Sequence, residues 1–199
     1  MNALILASQS ASRRAMLEAA GVPFSAVAAG VDEDAVKASF KADCLDGRGL
    51  ADALAELKAV KISRRYPEAL VLGCDSTVQA ADGTLLDKAE SREESRAQLA
   101  SLAGTTHRLT SAAVVAFGGQ PIWRHVDVAK LTMRSLSDAF LDTYLDAEWP
   151  AIGGCVGGYR LEGPGVQLFA RIEGSHFTIL GLPLMPLLQW LRDRGAMPA

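Results

Sequence analysis

Several features that would narrow the function of this chain are scarce or missing. The three cysteines, Cys44, Cys74 and Cys155, are far apart and unpaired in spacing, which predicts neither a disulfide framework nor a zinc site and favours a reducing compartment. No run of about 20 apolar residues occurs, so we expect no membrane span. The apolar residues 1–7 lack a preceding basic region and are too short for a signal peptide, so we expect a soluble, cytoplasmic protein.

Charge and motif content exclude several further classes of protein. The formal net charge of −3 argues against a general nucleic-acid-binding protein, which would normally be basic. The chain has no phosphate loop ending in Gly-Lys-Ser/Thr and no Gly-x-Ser-x-Gly sequence, which argues against ordinary kinases, GTPases and α/β-hydrolases. His107, His125 and His176 are too widely spaced for a structural zinc site.

The order of the predicted elements indicates an α/β protein with a mixed sheet. With 199 residues, 49% of them hydrophobic, the chain fits one domain. Predicted strands cover residues 3–7, 24–29, 70–72, 77–80, 84–86, 109–117, 122–133 and 167–172. Predicted helices begin after Ser10, at Leu50, at Ser91, at Ser137 and at Pro183, whereas residues 35–48 have mixed polarity and remain undecided.

Residues 8–14, Ser-Gln-Ser-Ala-Ser-Arg-Arg, join a buried strand to a helix and form the first candidate for a phosphate site. A helix start offers unpaired N–H groups, and the adjacent Arg13 and Arg14 offer forked donors that suit phosphate oxygens. The same pattern also describes a capped surface helix with solvated arginines, and the residues alone do not decide between the two.

Asp75 is the second candidate, because it directly follows the buried strand at residues 70–72. Ligands of open α/β sheets bind at the carboxyl ends of strands, where a carboxylate can hold a divalent metal or accept a proton from water. An isolated Asp more commonly caps a turn. Lys58 on a neighbouring helix and Lys88 after a predicted hairpin favour the functional interpretation.

The glycine-rich residues 153–163 form the third candidate. Glycines allow the close backbone approach that a ligand requires, Tyr159 could stack on a base, and Glu162 could accept hydrogen bonds from a base edge. The alternative is a mobile surface loop.

Three segments together resemble the Maf family of nucleotide pyrophosphatases: residues 6–14, residues 72–78, and residues 172–174 with 181–184. The likeness extends essentially from end to end. It implies the fold of the inosine triphosphate pyrophosphatases, a mixed twisted sheet with surrounding helices and a central cleft, here as one domain of two lobes over residues 1–199. It also implies hydrolysis between the α- and β-phosphates, dependent on Mg²⁺ or Mn²⁺, and frequently a homodimer.

The resemblance assigns roles to individual residues. The acidic catalytic residue of the family falls on Asp75, which would also bind the metal together with Glu33. The phosphate-contacting residues of the family fall on Ser8, Arg13, Arg14, Lys58 and Lys88.

The assignment to a substrate-specific branch of the family depends on fewer positions. Two residues separate Ser10 from Arg13, as in the branch similar to 7-methyl-GTP pyrophosphatase, and Glu162 also matches that branch. The specificity-linked positions are then Ser12, Ser76 and Glu162. Ser111 departs from the family pattern, which has Gly there. A dTTP/UTP pyrophosphatase and a nucleotide-binding regulator of cell division with little turnover are the alternatives.

Overall fold

The structure, a computed structural model, describes residues 4–42 and 46–198, with only the backbone of residues 40–42. Cys44 lies outside the described residues. The strands are β1 (Leu4–Leu6), β2 (Phe24–Ala26), β3 (Leu70–Gln79), β4 (Leu85–Leu86), β5 (Thr106–Phe117), β6 (Gln120–Met133) and β7 (Phe169–Glu173). The helices are α1 (Ala11–Ala19), α2 (Glu33–Ala42), α3 (Gly47–Ser63), α4 (Arg92–Leu102), α5 (Asp138–Glu148), α6 (His176–Ile179) and α7 (Leu184–Asp193).

The seven strands form one mixed sheet in the order β2-β1-β3-β5-β6-β7, with β4 paired to β3. β1 is parallel to β2 and β3, with Leu4 opposite Phe24 on one side and Leu70 on the other. β4 is antiparallel to β3, and β7 is antiparallel to β6. The predicted α/β class with a mixed sheet is therefore confirmed.

The described chain divides into two compact units, and β3, β5 and β6 contribute residues to both. The first unit contains residues 1–76, 110–127 and 176–199, and the second contains residues 77–109 and 128–175. A cleft between two lobes stays a prediction. Among the described residues, no helix is long and apolar enough to cross a membrane.

Two faces of the central strands carry the core of the first unit. On one face, Leu6 and Leu72 pack with Leu17 of α1 and Leu187 of α7. On the other, three alanines of α3 pack against two alanines and one valine of β5: Ala51, Ala55 and Ala59 contact Ala112, Val114 and Ala116. Small residues on both partners let α3 lie close to the sheet.

Several predicted boundaries differ from the structure. The undecided segment 35–48 contains most of α2, which begins at Glu33. α3 begins at Gly47 rather than Leu50, because the side chain of Asp46 caps the helix by accepting from Gly49 N at 2.9 Å. β2 ends at Ala26 and β7 starts at Phe169, so both strands are shorter than predicted. The placement of Asp75 after a strand is wrong, because β3 continues to Gln79, where it pairs with β4.

Candidate active site

Gly73 in β3 brings α3 close to the sheet beside Asp75. A Cβ atom at this position would lie 2.1 Å from the carbonyl oxygen of Ala55 and 2.6 Å from the backbone nitrogen of Ala59. Only glycine therefore permits the observed approach. Side chains two residues apart on a strand share a face, so Asp75 also faces α3, where Lys58 lies within one turn of Ala55.

One buried ammonium group joins two carboxylates from different elements. Nζ of Lys58 on α3 lies 2.5 Å from Oδ1 of Asp75 and 2.7 Å from Oε1 of Glu33, in the first turn of α2. Lys58 and Asp75 are each 8% exposed, whereas the side chain of Glu33 is 36% exposed. The structure thus assembles three of the residues that the sequence singled out.

The guanidinium of Arg13 is held by four hydrogen bonds within the chain. Its Nε donates to the carbonyl oxygen of Gly181 at 2.7 Å, and Nη1 donates to the Cys74 carbonyl at 3.0 Å and to Ser8 Oγ at 3.3 Å. Nη2 donates to Ser76 Oγ at 3.1 Å. Because a guanidinium has five N–H donors, these bonds to described residues leave one donor on Nη2.

The carboxylates paired with Lys58 and the guanidinium of Arg13 lie on opposite faces of β3, but both are next to the same stretch of its edge. Cys74 belongs to the cluster that packs with α1 and α7, and Asp75 contacts Lys58 on the α3 side. The pairing of β1 with β3 ends at Leu6 and Leu72, followed by one bond from Ala7 N to Leu72 O. Arg13 occupies the next acceptor along this edge, the Cys74 carbonyl. A ligand at this edge could therefore meet both groups.

The remaining predicted residues are partly or fully exposed. Arg14 is exposed on α1 and Ser12 is half-buried. Lys88 and Glu162 are exposed in the second unit. Burial raises the pKa of Cys155, the negative charge of Glu162 raises it further, and the positive charge of Lys88 lowers it. Lys88 and Glu162 therefore lie within electrostatic range of the same thiol.

The suggestion that Tyr159 stacks on a base is wrong. Tyr159 is only 4% exposed, and its hydroxyl is hydrogen-bonded to Nε2 of His107 at 2.8 Å. Gly157 and Gly158, directly before Tyr159, both have positive φ angles, and the Tyr159 ring packs against Phe169 at a centroid distance of 4.9 Å. Burial raises the pKa of Tyr159 and lowers that of His107 to about 4.

The donor set suits a divalent cation that arrives with phosphates. Among residues 4–42 and 46–198, no cluster of three or more His, Cys, Asp or Glu side chains could hold a metal alone. Mg²⁺ is usually held by one or two carboxylates together with substrate phosphates, rather than by a cage of protein ligands. Asp75 and Glu33, which converge on Lys58, fit this arrangement.

Sequence reasoning missed the carbonyl groups of Cys74 and Gly181 as anchors of Arg13. A backbone acceptor has no residue-type signature, so no pattern search could have found either one. Ser111 was noticeable only as a departure from Gly, and its hydroxyl proves to contact Ser76 at 2.8 Å.

Comparison with known proteins gives consistent matches over nearly the whole chain. The model of a family described as Maf-like protein matches residues 3–194. The nucleoside triphosphate pyrophosphatase of Sphingopyxis alaskensis is 52% identical over 195 residues, which cover 98% of each chain. The protein of the same name from Caulobacter vibrioides is 55% identical, over 96% of this chain and 96% of that relative. The one from Ruegeria pomeroyi is 49% identical, over 98% of this chain and 97% of that relative.

Proposed function

The chain belongs to the Maf-like protein family, and on that premise we propose that it hydrolyses nucleoside triphosphates to a nucleoside monophosphate and pyrophosphate. The observation that supports this proposal most strongly is the buried Lys58 ammonium between Asp75 and Glu33. Burying charges is costly even when they are paired, so a buried cluster of this kind favours a functional role over a purely stabilising one.

In the proposed reaction, Asp75 is the catalytic residue. Its Oδ1 contacts Lys58, so we assign Oδ2 to the attacking water. The carboxylate orients this water and accepts its proton, while the water oxygen forms a bond to the α-phosphorus. The bond from the α-phosphorus to the bridging oxygen breaks, and pyrophosphate leaves with the electron pair.

Cationic side chains stabilise the leaving group. A triphosphate carries about four negative charges at neutral pH, so several cations are needed around it. We assign this role to Lys58, to Arg13 through its remaining N–H, to the exposed Arg14, and to Lys88, and we assign Ser8 to hydrogen bonding at the start of α1.

Asp75 and Glu33 are the residues that would hold Mg²⁺ or Mn²⁺. Such a cation, when bound, neutralises phosphate charge and polarises the phosphoryl oxygens. Both carboxylates also contact Lys58. If they bind a cation together with the triphosphate, each carboxylate would have to interact with the cation as well as with the Lys58 ammonium.

We propose 7-methyl-GTP as the preferred substrate. The spacing of Ser10 and Arg13 and the presence of Glu162 support this choice. A carboxylate suits the guanine edge, which presents N–H donors at N1 and N2. Ser12 and Ser76 complete the proposed specificity positions. A homodimer and a cytoplasmic location stay predictions.

A panel of 7-methyl-GTP, UTP and dTTP at equal concentration, with Mg²⁺ or Mn²⁺, tests the proposal. We expect equal amounts of monophosphate and pyrophosphate, with the highest kcat/KM for 7-methyl-GTP, and we expect Glu162→Gln to lower that preference. A diphosphate product would contradict the assigned bond cleavage. Binding without product for every nucleotide would instead favour the regulator of cell division.

A further inference from the structure

A chain of hydrogen bonds leads from Ser76, the acceptor of Arg13 Nη2, to Ser111, Thr178 and Asp127, to which no role has been assigned. Ser76 Oγ lies 2.8 Å from Ser111 Oγ on β5, and Ser111 Oγ donates to the carbonyl oxygen of Thr178 on α6 at 2.7 Å. The side chain of Thr178 in turn donates to Oδ2 of Asp127 on β6 at 2.6 Å. Ser111 and Thr178 are both 0% exposed.

The direction of each hydrogen bond in this chain is determined by chemistry. A carbonyl oxygen can only accept, so the single proton of Ser111 must point to Thr178 O. Ser111 can then only accept from Ser76, and the proton of Ser76 must point to Ser111. Ser76 is therefore left as an acceptor, which is the role that Nη2 of Arg13 requires of it.

We propose that Ser111 is a positioning residue that holds the Arg13 guanidinium in its working orientation through Ser76. The inference rests on the proposed function, because it concerns the same site. Nε and Nη1 make three of the four bonds of Arg13, and Ser76 is the acceptor of the fourth, which Nη2 donates. The fifth N–H, which is assigned to the phosphates, is on that same nitrogen.

Removal of the Ser111 hydroxyl should disturb this orientation. In Ser111→Ala the proton of Ser76 loses its acceptor, so the Ser76 hydroxyl can rotate and present its proton, rather than a lone pair, toward Nη2 of Arg13. We expect kcat to fall about tenfold with KM changed less than about twofold, because a group that acts on charge developing in the transition state affects kcat.

Ser63→Ala is the matched control. Ser63 is also a serine of the first unit with 0% exposure, and its Oγ accepts from Gly119 N at 3.0 Å, outside this chain of hydrogen bonds. A purely structural role for Ser111 predicts that both variants lose some thermal stability and that neither changes kcat. Ser111→Cys, which keeps a weak donor and acceptor, should give a kcat between those of Ser and Ala.

A double-mutant cycle tests whether Ser111 acts through Ser76. We expect Ser111→Ala to cost nothing further in kcat once Ser76→Ala is present. Additive losses, or a kcat for Ser111→Ala equal to that of Ser63→Ala, would overturn the inference while leaving the proposed function intact. An unmodified protein that releases no pyrophosphate from any nucleotide would overturn the proposed function, and the inference with it.

Discussion

The position of Lys58 depends on the absence of a Cβ atom at Gly73, and Gly73→Ala tests this dependence. The added Cβ would lie 2.1 Å from Ala55 O, whereas real Cβ contacts essentially never fall below 3.0 Å. Both this oxygen and the nearby Ala59 nitrogen are backbone atoms, so no side-chain rotation relieves the clash. We therefore expect α3 to retreat from β3 by about 1 Å.

The size of the effect follows from this displacement. A retreat of about 1 Å would lengthen the distance from Lys58 Nζ to Asp75 Oδ1 from 2.5 Å to about 3.5 Å. Misplacement by about 1 Å costs about 100-fold in rate for well-positioned catalytic groups. Overpacking of a buried contact costs about 1–3 kcal/mol in the free energy of unfolding.

The assay compares kcat/KM for the best nucleotide and the thermal unfolding midpoint of Gly73→Ala with those of the unmodified protein. Gly154→Ala is the control for stability, because a Cβ at Gly154 meets no atom within 4 Å, and its unfolding midpoint should not change. A folded Gly73→Ala protein with unchanged kcat/KM would refute the reasoning that the close approach of α3 sets the site.

Two further predictions concern buried ionisable groups. Lys58→Met leaves two carboxylates facing each other, so we expect a loss of about 3 kcal/mol in unfolding free energy, measured by urea denaturation. We also expect kcat/KM for pyrophosphate release to fall at least about 100-fold. Lys61→Met, on the exposed side of the same helix, is the control and should change neither quantity strongly. Burial lowers the pKa of His107 from 6.5 to about 4, so between these values the unfolded chain binds a proton that the folded chain does not. The unfolding free energy should therefore fall by up to about 3 kcal/mol from about pH 7 to about pH 4. In urea titrations at both pH values, His107→Gln should remove most of that pH dependence. An equal loss of unfolding free energy in the variant would contradict the assignment to His107.

Elements with a strong local signal could be predicted from the sequence. The turn at Gly118 and Gly119 joins β5 to β6 as expected, since both residues adopt the positive φ angles that a two-residue hairpin needs. Ser91 caps α4 by accepting from Glu94 N at 3.1 Å. Both features depend on residues next to each other in sequence, so their chemistry is visible before folding.

Features that depend on tertiary contacts could not be predicted in the same way. The polar residues Asp75 and Ser76 suggested that the strand ends before them. In the structure β3 continues to Gln79, because it pairs with β4 there and Asp75 is buried against α3. The acceptors of Arg13 include two backbone carbonyls, one of them 168 positions away along the chain. Lys58 was predicted on a helix neighbouring Asp75, but no sequence periodicity relates the two residues, so the contact between their side chains could not be predicted.

Pyrophosphate release by Asp75→Asn, compared with the unmodified protein on its best nucleotide, tests the central claim most directly. Asn has nearly the same shape and can still accept from Lys58, but its amide cannot take a proton from water. We expect a folded variant that retains nucleotide binding and loses at least about 1000-fold in kcat. Near-normal pyrophosphate release by a folded Asp75→Asn protein would contradict the role of this carboxylate.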